Sequence, residues 1–145
     1  RVKWGFLSSS ILLVLSFAVL LGGGKIEIAL SFVAALILLS TYQMKEKLQL
    51  NDFIFGTLST LFVAMIIPIL MHLWQAQSAS FDTVIISVLM PLFPGTAFTN
   101  GFRDSFKGDY GAGLSKIVEA LVIAVSLGVG VAMGLFIAKG IISWL

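Results

Sequence analysis

The chain has 145 residues, 59% hydrophobic and 11% charged, with a formal net charge of +2 and no cysteine. A mean hydropathy of +1.07 excludes a soluble globular domain and a disordered segment and makes this an all-α, polytopic helical membrane protein. The absence of cysteine removes a disulfide framework, a thiolate metal cluster and a thiol nucleophile. The slight positive charge comes without a basic patch interleaved with aromatics, so it reads as loop topology rather than nucleic-acid binding.

The chain opens at Arg1 without a methionine and is read as a piece of a longer protein. Its first apolar run lacks an Ala-x-Ala-like cleavage site and is followed by further spans, so it is not read as a removable signal peptide. About five transmembrane helices are expected, forming one transmembrane domain over residues 1–145. The first, 4–22, has Trp4 as an interfacial anchor and Arg1 and Lys3 outside it. Ser8, Ser9, Ser10 and Ser16 in this run are expected to bond carbonyls of their own helix. Gly22, Gly23 and Gly24 end the helix, and Lys25 and Glu27 mark a very short turn.

The second helix is expected at 26–43, followed by an aqueous loop over 43–52 in which Asn51 or Asp52 caps the third helix. That helix, 52–74, contains Pro68, which should kink it, and carries His72 and Trp74 at its far end. A polar stretch, 75–80, follows without Lys or Arg. The fourth helix is expected at 82–103, capped by Asp82 and broken midway, at 91–95, by Pro91, Pro94 and Gly95. The piece before the break is too short to cross a hydrocarbon core of about 30 Å, so residues 96–102 are needed as a second half-helix. A loop over 103–113 is expected to use Gly108, Gly111 and Gly113 for flexibility. The last helix, 113–144, exceeds one span, which places Lys116 and Glu119 at the interface or in a cavity. It carries small residues four apart, Ala120, Ala124, Gly128 and Ala132, and a second set, Gly130, Gly134 and Ala138. Both read as close-packing stripes.

Five spans put the chain ends on opposite sides. Arg1, Lys3, Lys45, Lys47, Arg103, Lys107 and Lys116 fall on one side, and only Lys25 and Lys139 on the other. The positive-inside rule then makes the N-terminus cytoplasmic. An odd span count would invert a homologous second half relative to this one, the plan of many secondary transporters.

The residues around the break carry a specific pattern: Pro94-Gly95, then Thr99-Asn100-Gly101-Phe102-Arg103-Asp104, then Gly108-Asp109-Tyr110, Gly113 and Glu119-Ala120. This resembles the threonine/serine exporter (ThrE-like) family, in the membrane part of its N-terminal half. The specific content of the resemblance is confined to 94–120. The resemblance implies export of small amino acids such as threonine and serine across a bacterial-type inner membrane, coupled to protons. It also implies a second membrane half as partner, fused or separate, and no cofactor. Two alternatives stand beside it: a dicarboxylate (succinate) exporter subunit, and a non-transporting assembly subunit.

A broken helix in a membrane survives where protein or a watery cavity satisfies its backbone. The substrate-binding candidates are therefore Pro94, Gly95, Thr96, Thr99, Asn100, Arg103 and Asp104. Half-helix N-termini favour a carboxylate, Thr96 and Asn100 can complete its hydrogen bonds, and Arg103 can clamp it. The bland alternatives are that Thr96 caps the half-helix, that Thr99 and Asn100 bond neighbouring spans, and that Arg103 and Asp104 are a loop pair. Glu119 and Asp104 are the proton-coupling candidates, unless Lys116 simply pairs with Glu119 one turn away. No enzyme is expected: there is one histidine, no His-Glu-x-x-His, no metal cluster and no nucleophile elbow.

Overall fold

A computed structural model describes residues 4–145, which form six helices and no strand. In order they are α1 (Trp4–Leu20), α2 (Lys25–Leu48), α3 (Asp52–Leu73), α4 (Phe81–Leu92), α5 (Gly95–Phe106) and α6 (Tyr110–Trp144). Helices α2, α3 and α6 are each long and apolar enough to cross a membrane, and α4 and α5, bent by 53° at the break, reach that length and apolarity only together. Helix α1, the other expected span, has 17 residues, at the bottom of the spanning range. Arg1 and Lys3, expected as flanking charges, lie outside the described residues.

The serines of α1 turn inward on their own helix, Ser10 to the Phe6 carbonyl at 2.9 Å and Ser16 to Leu12 at 2.7 Å. Helix α1 stops in a Schellman turn: Gly22 takes φ +77°, and the Gly23 and Gly22 amides donate to the carbonyls of Ala18 and Val19. Helix α2 does not stop at residue 43. Lys45, Glu46, Lys47 and Leu48 are good helix formers and carry it through Leu48, where Gln49 ends it at φ 52°. The expected loop over 43–52 thus shrinks to residues 49–51. Asn51 caps α3, its side chain accepting from the Ile54 amide at 2.9 Å. Pro68 is accommodated inside the continuous α3.

Helix α3 packs most extensively on α6. Gly56 lies against Ser126, Gly130 against Thr57 and Thr60, and Gly134 against Leu61 and Ala64. The partners advance in step along both chains, so α3 and α6 run parallel. The set Gly130, Gly134 and Ala138 is buried in this seam. In the other expected stripe, Ala120 is buried, but Gly128 and Ala132 face outward. Two hydroxyls stitch the bundle: Ser59 donates to Thr41 at 2.9 Å between α3 and α2, and Thr57 donates to the Ser126 carbonyl at 3.3 Å between α3 and α6. Val14, Leu30, Leu38, Val63, Ile67 and Val84 fill the core that α1, α2, α3 and α4 share.

Helix α4 starts beside the beginning of α2, where the Ser80 amide donates to Glu27 Oε1 at 3.1 Å. Its cap is Ser80, which accepts from the Thr83 amide at 3.4 Å, and not the expected Asp82. The helix ends where Pro91 removes an amide and Pro94 forces Phe93 into extended backbone, φ −68° and ψ 130°. Phe93 stacks on Phe98 across the break, ring centroids 6.0 Å apart. The break falls midway along the α4–α5 pair, as expected, with 12 residues in each helix, and it lies toward one end of the bundle. Pro91 and Leu92 already line a cavity with Tyr42, Lys45 and Asp52, beside the turn between α2 and α3.

Helix α5 packs chiefly on α6 and runs antiparallel to it, Ser105 opposite Gly113 and Gly101 opposite Ile117. The loop expected over 103–113 is only residues 107–109. Gly108 makes the turn at φ +90°, and Asp109 caps α6 by accepting from the Ala112 amide at 3.2 Å. The 35 residues of α6 extend about 52 Å, well beyond a hydrocarbon core of about 30 Å. The α3–α6 register sets Asp52 beside Val122, so residues 110–121 and the adjoining α5 project past the end of α3. One end of the bundle therefore gathers Lys45, Lys47, Arg103, Lys107 and Lys116. Lys25 and Lys139 lie at the other, Lys139 beside His72 and Gln77.

Candidate functional site

Helix α5 brings most of the expected site residues onto one short amphipathic element. Its N-cap is Pro94, with no side-chain hydrogen bond to the first amides. Thr96, expected as a possible cap, is exposed and does not serve as one. Pro94 is buried and Gly95 half-buried at the break. The Thr99 hydroxyl donates to the Gly95 carbonyl at 2.9 Å, within its own helix and not to a neighbouring span. Asn100 and Arg103 are exposed. Arg103 borders an open groove of about 560 Å³ with Thr99, Phe102, Phe106 and Lys107. The polar face of α5, with Thr96, Asn100 and Arg103, thus points away from the chain.

Asp104 faces inward. Its Oδ2 accepts from Lys116 Nζ at 2.5 Å, with the two side chains 25% and 44% exposed. This pair depends on close helix approach. A Cβ on Gly101 would stand 2.6 Å from Ile117 Cγ1 and 3.0 Å from the Gly113 carbonyl, and one on Gly113 would meet the Gly101 carbonyl at 2.7 Å. Only glycines allow the backbones this near. Lys116 is therefore engaged by Asp104, and the alternative Lys116–Glu119 pair does not form. Glu119 lies on an exposed face of α6.

A second polar feature escaped the sequence reading. A cavity of about 160 Å³ opens beside the break, walled by Tyr42 and Lys45 of α2, Asp52 and Phe55 of α3, Pro91 and Leu92 of α4, and Ile123 and Leu127 of α6. Lys45 Nζ meets Asp52 Oδ1 at 2.5 Å and lies 4.8 Å from the Phe55 ring centroid. Tyr42 packs on Phe55 at 4.7 Å. The one available signal was two pairs at i, i+3 spacing, Tyr42 with Lys45 and Asp52 with Phe55, facing each other across a turn. No group of acidic, histidine or cysteine side chains suited to a metal ion occurs among the described residues.

This combination of a Pro/Gly-broken helix, a polar half-helix beyond it and a long final helix agrees with the comparison to known families. Residues 2–138 match the ThrE family, described as "Putative threonine/serine exporter". The chain belongs to this family. The match covers nearly the whole chain, so in this ThrE-family protein the likeness runs through the membrane portion as a whole and includes the motif residues at 94–120. Neither the curated proteins nor the solved structures gave a match. The family description is that of an exporter, which points to a small-molecule substrate and a membrane setting and away from an enzyme.

Proposed function

We propose that this chain is the membrane half of a secondary active exporter that moves threonine and serine out of the cytoplasm, coupled to protons. It works in a bacterial-type inner membrane with its N-terminus inside and is completed by a second, inverted membrane half, either a separate chain or another copy. The observation that carries this reading is the family match joined to the α4–α5 break. Helix α5 starts without a side-chain cap and presents Thr96, Asn100 and Arg103 on a face that none of the described residues covers. Polar side chains at a membrane seek protein or water, and the second half supplies that cover. Substrate carboxylate binds between the α5 amides and this face, with Arg103 as its counter-charge. The break at Pro91, Pro94 and Gly95 is the hinge for alternating access. Glu119, which has no cationic partner among the described residues, carries the coupling proton, and Asp104 exchanges Lys116 for the ammonium group of the substrate.

The test is efflux of threonine, serine and succinate from loaded cells that contain the full chain with its second half. Asn100→Ala and Asp104→Asn should each lower threonine efflux without lowering the amount of protein in the membrane. Unchanged efflux in both variants sinks the site assignment. Succinate efflux that ignores threonine makes the chain a dicarboxylate exporter subunit, and efflux abolished only by Gly128 or Gly134 replacements, through loss of the complex, makes it an assembly subunit.

A further inference from the structure

The cavity beside the break holds a cation and an anion that the mechanism above leaves unused. We propose that it is a binding site for a small zwitterionic amino acid, with Lys45 taking the α-carboxylate, Asp52 the α-ammonium group, and Leu92, Ile123 and Leu127 the side chain. This rests on the exporter reading and adds a site and a selectivity to it.

Size supports the assignment. At about 160 Å³ the cavity has room for a ligand of amino-acid size.

Charge supports it further. Lys45 and Asp52 are the only formal charges among the lining residues, and they sum to zero, as do those of a zwitterion. The two sit in contact at 2.5 Å, so a ligand bearing both charges on one carbon can insert between them and replace one ion pair by two. A dicarboxylate would bring two negative charges against a single lysine with Asp52 beside it, and like charges repel. The resident pair is open to exchange, because the side chains are 32% and 59% exposed and a partly hydrated pair of this kind contributes little to stability. Phe55 lies under the Lys45 ammonium at 4.8 Å and keeps it oriented once Asp52 turns to the ligand.

Position links the site to movement. Pro91 and Leu92 form one wall, directly before the 53° bend into α5. An occupant therefore touches the hinge itself. The site lies at the end that carries Lys47 and Lys107, where substrate would enter from the cytoplasm.

Binding of labelled threonine is measured in membranes from the same cells used for efflux, with Lys45→Met, Asp52→Asn and, outside the cavity, Lys47→Met. Competition uses serine, N-acetylthreonine, threonine methyl ester and succinate. Wild type should bind threonine and be displaced by serine but not by the two blocked derivatives or succinate. Lys45→Met and Asp52→Asn should each weaken binding about tenfold or more, as for loss of a charge-assisted hydrogen bond, while Lys47→Met should not. The competition series needs no variant, so a misfolded mutant cannot hide the answer. Threonine efflux by wild type, together with full binding in the Lys45 and Asp52 variants or equal displacement by succinate, overturns this site and leaves the exporter reading standing. Absence of both binding and efflux in wild type overturns the exporter reading and this site with it.

Discussion

Lys116 reaches across the α5–α6 hairpin to Asp104 at 2.5 Å and leaves Glu119, one turn along its own helix, without a partner among the described residues. The choice is geometric. The Gly101–Gly113 approach brings the two backbones close enough for a short carboxylate to meet a lysine on the facing helix. Thermal unfolding of the purified protein should show the pairing: Lys116→Met lowers the midpoint slightly, and that effect vanishes in an Asp104→Asn background. In a Glu119→Gln background it persists in full, because those two residues do not interact. Coupling of Lys116 to Glu119 instead would contradict the hairpin register.

The same hairpin predicts a contrast between two neighbouring glycines. A Cβ at Gly113 would press on the Gly101 carbonyl at 2.7 Å and the Ser105 amide at 2.9 Å, both backbone atoms that cannot move aside, whereas a Cβ at Gly111 would meet nothing within 4 Å beyond its own helix turn. Gly113→Val should cost about 1–3 kcal/mol by overpacking and make the turn at residues 107–109 susceptible to protease. Gly111→Ala should be neutral or stabilise by up to about 1 kcal/mol, through helix propensity alone. Equal behaviour of the two would mean that α5 does not lie on α6 as described.

A parallel test separates the two small-residue stripes of α6. Gly134 stands where a Cβ would meet the Leu61 carbonyl at 2.5 Å and Ala64 Cβ at 2.8 Å, while Gly128 has nothing within 4 Å. Gly134→Val should therefore drive α3 and α6 apart at a cost of about 1–3 kcal/mol or more, read as a lowered thermal midpoint. Gly128→Val should leave the fold of the chain unchanged. A loss of efflux in Gly128→Val, with the midpoint intact, would place the second half against that outward stripe.

These contrasts also show what the sequence could and could not reveal. Hydropathy located the apolar helices, and glycine and proline located the turns at Gly22, Gly108 and Pro91. Helix ends were misjudged wherever a polar helix outruns the apolar stretch, as at Lys45–Leu48 and at Tyr110–Gly113, because local composition there resembles a loop. Pro91, Pro94 and Gly95 marked the break between two helices of 12 residues each. Its place toward one end of the bundle follows from the α3–α6 register, set by Gly56, Gly130 and Gly134 meeting partners far away in the chain. The candidate residues on α5 were legible as a motif, but the outward direction of Asn100 and Arg103 was not. Tyr42, Lys45, Asp52 and Phe55 were missed because their cavity is completed by α4 and α6, which no local pattern connects to them.

Orientation is open to a direct test because the chain has no cysteine, so each introduced thiol reports alone. Lys47 and Lys107 lie at the end with the α2–α3 turn and the α5–α6 hairpin, and Lys25 and Lys139 lie at the other. The excess of Lys and Arg at the first end is the ground for the proposed cytoplasmic placement. In intact cells a membrane-impermeant maleimide should label Lys25→Cys and Lys139→Cys. It should reach Lys47→Cys and Lys107→Cys only after permeabilisation. The reverse pattern would turn the protein over and make it load from outside, which contradicts export. Labelling of Lys107→Cys from outside with Lys47→Cys protected would instead carry the hairpin through the membrane. The break would then sit between the two aqueous phases, away from the end where Pro91 meets Lys45 and Asp52.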